Sequence, residues 1–124
     1  MEVILVAKIL IVDDSTISRK KLRTILEAAG HEVIGEAADG YDALKKYQAL
    51  SPELVTMDIT MPEMDGISVL KDIMRYDPAA RVVMITALGK GTTILEALNA
   101  GAKHYITKPF AEEEVIHSIS EALE

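Results

Sequence analysis

Apolar residues come in short runs that alternate with stretches of helical spacing. Five such pairs follow one another along the chain. Lys8 to Val12 (KILIV) is a compact apolar run and predicts the first strand. Ser15 to Ala29 predicts the first helix, because Leu22, Ile25, Leu26 and Ala29 recur at positions that share one helical face. Gly30 supplies a stop for it. Glu32 to Glu36 is a weaker strand. Asp39 to Leu50 is a helix with Ala43, Tyr47 and Leu50 on one side, closed by Ser51-Pro52. Glu53 to Met57 gives a third strand, and a helix from about Gly66 to Tyr76 ends at Asp77-Pro78. Arg81 to Ile85 is the next strand, and Thr92 to Leu98 is a helix closed by Asn99-Ala100-Gly101, with Leu98 assigned to the core. Lys103 to Ile106 is the last strand. Ala111 to Leu123 is the last helix, with Val115, Ile119 and Ala122 aligned. Near-continuous apolar strands between amphipathic helices predict an α/β fold, with a parallel sheet covered on both faces.

Open α/β sheets place their sites beyond the carboxyl ends of the strands. There the first strand delivers Asp13 and Asp14, the third Asp58, the fourth Thr86, and the fifth Thr107, Lys108 and Pro109. Each has an ordinary reading alone: Asp14 or Ser15 as a helix cap, Thr86 as a loop hydroxyl, Lys108 as a solvated surface charge. Asp39 and Asp65, beside glycines, read as turn residues. Together, three carboxylates, a hydroxyl and an ammonium on one sheet edge read as a site. Three carboxylates repel one another, and a divalent cation resolves that conflict. An all-oxygen donor set favours Mg2+, with Mn2+ as the alternative, over zinc. One carboxylate can then serve as a nucleophile toward a phosphoryl group.

Composition narrows the setting. The chain has 124 residues, which suits one domain. It has no cysteine, which excludes disulfides and fits a reducing compartment. The net charge of -7 disfavours non-specific nucleic-acid binding. The opening apolar run is broken by Lys8 and is too short to cross a bilayer. The expectation is a cytoplasmic protein without membrane insertion, with residues 1–7 as an N-terminal extension and 8–124 as the domain.

The segments LIVDDS (Leu10 to Ser15), GEAADG (Gly35 to Gly40), VTMDITMPEMDG (Val55 to Gly66), MITA (Met84 to Ala87) and NAGAKHYITKPF (Asn99 to Phe110) carry a resemblance. The chain resembles the receiver domain of bacterial two-component response regulators, the CheY-like superfamily, from about Lys8 to its end. It looks most like the stand-alone chemotaxis members. The resemblance implies a flavodoxin-like (βα)5 fold with strand order 2-1-3-4-5. It implies Asp58 as the phosphoacceptor, with Asp13, Asp14, Asp58 and the carbonyl of Thr60 as metal ligands, Asp14 being the preferred direct one of the acid pair. Thr86 and Lys108 would bind the phosphoryl group, and Thr86 and Tyr105 would form the switch. The Lys108-Pro109 bond is expected to be cis. The implied function is a phosphorylation switch with self-catalysed uptake and hydrolysis and no external substrate to turn over. The implied partners are a sensor histidine kinase or phosphotransfer protein, a phosphatase, and a downstream protein such as the flagellar motor switch. Contact would run through the fourth helix, fifth strand and fifth helix, including Lys90, Thr92, Ile94, Leu95, His104 and Tyr105. Thr60 and Leu88 occupy positions thought to tune hydrolysis, and apolar Leu88 implies a slow rate. GKG (Gly89 to Gly91) reads as a loop rather than a nucleotide-binding turn.

Four rivals are weighed. A receiver excised from a longer regulator, with a DNA-binding or enzymatic output domain, shares every motif. A pseudo-receiver is opposed by the intact acid pair, Asp58, Thr86 and Lys108. A haloacid-dehalogenase-like hydrolase would want its nucleophile after the first strand. A flavodoxin-like flavin protein would want hydroxyls where Asp13 and Asp14 stand.

Overall fold

The computed structural model describes residues 5–61, 65–87 and 91–124. Its order is β1 (Lys8–Val12), α1 (Thr16–Ala28), β2 (Glu32–Ala37), α2 (Gly40–Leu50), β3 (Leu54–Asp58), α3 (Gly66–Tyr76), β4 (Val82–Ala87), α4 (Gly91–Asn99), β5 (His104–Lys108) and α5 (Glu112–Leu123). All strand pairs are parallel, and the sheet order is β2-β1-β3-β4-β5. This is the flavodoxin-like (βα)5 fold expected from the sequence.

The period-two alternation of strand side chains divides the core into two halves. Leu10, Val12, Val55, Met57, Val82 and Met84 face one way and pack with α2, α3 and α4 through Ala43, Tyr47, Leu70, Ile73 and Ala97. Ile9, Ile11, Leu54, Val83, Ile85 and Ile106 face the other way and pack with α1 and α5 through Leu22, Leu26, Val115 and Ile119. The central strands β1, β3 and β4 are buried on both faces, which is why they are near-continuous apolar runs. The edge strand β2 is only half-buried and correspondingly mixed.

Helix starts are set by local hydrogen bonds. Ser15, Asp39 and Asp65 each accept a backbone N–H three residues on, from Ser18, Asp42 and Ser68. Asp39 and Asp65, expected as turn residues, instead cap α2 and α3. Gly30 and Gly101 follow α1 and α4 with φ of 93° and 113°, a region that costs glycine no steric penalty.

Three sequence expectations need correction. β4 and β5 run on to Ala87 and Lys108, past the apolar residues, because Thr86 pairs with Thr107 and Ala87 with Lys108 across the ladder. Strand pairing is a backbone property and continues beneath polar side chains. Leu98, assigned to the core, is 39% exposed, since α4 turns Ala97 inward instead. Leu50 is likewise largely exposed at the end of α2. Pro62, Leu88, Gly89 and Lys90, which entered the sequence reading, lie outside the described residues.

Candidate functional site

β1, β3 and β5 end together at the carboxyl edge of the sheet and bring Asp13, Asp14, Asp58 and Lys108 to one place. Carboxylate oxygens of Asp13, Asp14 and Asp58 lie within 4.8 Å of one another, the one such donor cluster among the described residues. Asp13 and Asp58 are buried, and Asp14 is exposed. The buried pair gives the pocket a floor and the exposed member gives it an opening.

Lys108 spans the pocket. Its Nζ donates to Asp13 Oδ2 at 3.0 Å and stands 3.6 Å from Asp58 Oδ2. Burial alone would lower the ammonium pKa, but the hydrogen bond to Asp13 and the charges of Asp58 and Asp13 outweigh it, so the group is held above its ordinary value. Lys108 therefore stays protonated. The following Lys108–Pro109 peptide is cis, as expected.

One ammonium does not balance three carboxylates. Asp58 is pushed up to about 6, first by burial and then by the charge of Asp13, with Lys108 and a backbone hydrogen bond from Thr60 opposing. Such a group lacks a counter-charge at neutral pH. Oxygen-only donors, two of them buried carboxylates, suit a small hard divalent cation that retains waters. The acidic cluster is thus positioned to bind Mg2+.

Thr86 is buried at the end of β4, with its hydroxyl donating to the Ala87 carbonyl at 3.3 Å. Tyr105 lies on β5 opposite Met84 and is 39% exposed, so its ring is turned out toward solvent. Thr60 follows Asp58 closely and is exposed.

The sequence reading missed two supporting residues. Arg19, one turn into α1, donates from Nη1 to the Asp13 carbonyl at 2.6 Å and is held by Glu36 through a 3.1 Å ion pair. It fixes the Asp13-Asp14 peptide from behind, while Ser15 N–H donates to Asp13 Oδ1 at 2.8 Å. Nothing in the sequence sets Arg19 apart from a surface arginine. Gly66 lies against the backbone of Asp58. A Cβ there would sit 2.1 Å from the Asp58 carbonyl oxygen, and its own N–H donates to the Ile59 carbonyl at 2.7 Å. The Asp65-Gly66 pair was the available signal, but it reads equally well as a simple turn. A third tie joins α1 to the segment after β5: Lys21 Nζ lies 4.8 Å from the centre of the Phe110 ring.

The comparisons agree with this geometry. The profile of the response regulator receiver domain matches residues 9–120. The chain is 47% identical to the chemotaxis protein CheY of Bacillus subtilis over 116 residues, 94% of this chain and 97% of that one. It is also 47% identical to the protein CcdB of the same organism, with the same two coverages. Among solved structures, the CheX-CheY-BeF3-Mg2+ complex from Borrelia burgdorferi superposes with a TM-score of 0.91 at 42% identity, covering 94% of this chain and 89% of that one. A profile match over nearly the whole chain settles the family: this chain is a CheY-like response regulator receiver domain, and its carboxylate cluster is that of a phosphoacceptor switch.

Proposed function

We propose that Asp58 is the phosphoacceptor and that the chain works as a stand-alone signalling receiver. The carrying observation is Asp58 itself: a buried carboxylate at the end of a central strand, 3.6 Å from an ammonium and within a cluster of three carboxylates. An oxygen of Asp58 attacks the phosphorus of a phosphohistidine or an acyl phosphate. The new P–O bond forms as the bond to imidazole or acetate breaks, and the leaving group takes the electron pair. Hydrolysis later returns the carboxylate and inorganic phosphate.

Asp13, Asp14, Asp58 and the Thr60 carbonyl would hold Mg2+, with Mn2+ as a substitute. The ion supplies positive charge to the phosphoryl oxygens. Lys108 is placed to exchange its contact with Asp58 for one with a phosphoryl oxygen. Thr86 gives up its bond to the Ala87 carbonyl to meet another. The vacated space admits Tyr105, which shifts the α4–β5–α5 surface. A modest change in charge thus biases two pre-existing arrangements.

Likeness to CheY supports a histidine kinase as phosphoryl donor. The downstream protein would bind the α4–β5–α5 face, where Leu95, Leu98 and Tyr105 are exposed. The flagellar motor switch is the target this reading favours, with a phosphatase resetting the signal. The second reading is a receiver excised from a longer response regulator with a DNA-binding or enzymatic output domain. A cytoplasmic site of action fits the absence of cysteine. No helix among the described residues is long and apolar enough to cross a membrane.

The test is intact-mass spectrometry after incubation with Mg2+ and acetyl phosphate. One phosphoryl mass is expected, and it should vanish both without metal and in Asp58→Asn. Uptake by Asp58→Asn would overturn the assignment.

A further inference from the structure

On the β5–α5 face, away from the acidic pocket, one carboxylate ties the strand to the helix. His104 of β5 places its Nε2 2.9 Å from Glu121 Oε2, and His117 of α5 places its Nε2 2.8 Å from Glu121 Oε1. Among the described residues, no other charged group pairs with His104. The neighbouring strand β4 carries no charged side chain. Lys103, next to His104, is exposed, and Lys108 is engaged in the acidic pocket. Glu112, Glu113 and Glu114 lie at the far end of α5, in its first turn, and Glu124 is exposed beyond its last turn.

The other nitrogen of the His104 ring touches Tyr105. Nδ1 is 2.9 Å from the Tyr105 carbonyl oxygen and 2.9 Å from the Tyr105 amide nitrogen. A neutral ring with its proton on Nε2 donates to Glu121 and accepts the Tyr105 N–H on Nδ1. A protonated ring carries N–H on both nitrogens and has no acceptor left. Its Nδ1–H then donates to the Tyr105 carbonyl, while the bond to Glu121 becomes an ion pair. Both bonds of the charged ring are charge-assisted, the stronger kind. One proton therefore changes which backbone group of Tyr105 is held and tightens the tie to α5. Imidazole changes charge between about pH 5 and 8.

We infer that His104 and Glu121 form a proton-operated latch that holds Tyr105 in its outward position. The contacts that a charged His104 strengthens are made in a structure where Tyr105 is 39% exposed. Protonation therefore stabilises the outward arrangement and opposes the inward one. His117 shares Glu121, but its side chain is 70% exposed and solvent screens it, so His104 carries the coupling. Acid and phosphorylation then pull this face in opposite directions, and a ligand that favours one arrangement shifts the population only by its preference for it. The effect on signalling rests on Tyr105 as the switch residue proposed above, whereas the latch rests on the contacts alone.

The experiment has two arms, both on the whole protein. In the first, 15N spectra are recorded from about pH 8 to about pH 5 without a phosphoryl donor. The His104 ring should pass from the Nε2–H tautomer to the doubly protonated form, with the Tyr105 amide resonance moving in step. His104→Asn should lose that movement. In the second, beryllofluoride, an inert phosphoryl mimic, is titrated with Mg2+ at about pH 7.5 and about pH 6 into the parent, His104→Asn and Glu121→Gln proteins. Asp58, pushed up to about 6, weakens binding in acid in all three. The latch should add a further loss of about 2- to 5-fold in the parent alone, the size that a partly exposed ion pair supplies. A Tyr105 amide that moves equally in His104→Asn would overturn the latch. So would the same pH dependence of binding in the parent and both variants. Absence of beryllofluoride binding at either pH would instead overturn the phosphoacceptor assignment.

Discussion

The two ends of the sheet treat their polar groups in opposite ways. At the amino end, buried His31 accepts the Ala7 N–H on Nδ1, Glu53 accepts the Lys8 N–H, and the Glu53 N–H returns a bond to the Lys8 carbonyl. Every polar group named there has a partner. At the carboxyl end, Asp58 is buried beside Asp13 with one ammonium between them, and its pKa rises to about 6. The amino end is built to be stable, and the carboxyl end is left short of positive charge. That shortage draws in a cation.

The contrast predicts opposite pH responses. The folded pKa of Asp58 lies above its unfolded value of 3.8, so its contribution is favourable at low pH and is lost as pH rises toward 6. Burial lowers the pKa of His31 below 6.5, so its contribution is present above 6.5 and is lost as pH falls through the folded value. The largest effect should come from Asp58→Asn. It abolishes phosphoryl uptake and stabilises the metal-free protein at neutral pH by up to about 3 kcal/mol, read by urea unfolding. Adding Mg2+ should stabilise the parent protein and leave this variant nearly unchanged.

Gly66→Ala comes next. Its Cβ would collide with the Asp58 backbone. A loss of about 2–3 kcal/mol in thermal or chemical unfolding is expected, with slowed uptake. His31→Ala strands the Ala7 N–H, which should cost about 1–2 kcal/mol and remove the acid limb of the stability profile. Arg19→Ala should have the smallest effect on stability. It should raise the Mg2+ concentration needed for half-maximal uptake by about tenfold while leaving the saturating rate nearly unchanged. Equal changes in both would mean that Arg19 holds up the fold rather than the acid pair.

Much of this was legible beforehand. Burial on both sheet faces makes β1, β3 and β4 apolar runs, and amphipathic spacing marks the helices, so the alternation survives in the sequence. Asp13, Asp14, Asp58 and Lys108 were legible because strands of one parallel sheet must end on the same edge. The extents of β4 and β5 were not, since backbone pairing does not depend on side-chain polarity. Arg19 and His31 escaped for a related reason. Each acts on a backbone atom, the Asp13 carbonyl in one case and the Ala7 N–H in the other, and a backbone group leaves no side-chain signal in the sequence. Leu98 misled because a nine-residue helix, α4, buries only Ala97 fully.

The bond from Lys108 to Asp13 joins positions 95 apart in sequence. It connects β1 with β5, between which β3 and β4 must already lie. Such a long-range contact is costly to close early in folding and forms once the intervening strands have docked. The pocket is therefore a product of the finished sheet. A chain still emerging from the ribosome, or one lacking its last strand, has the acidic residues but not their ammonium. Competence to receive a signal then becomes a report that folding is complete.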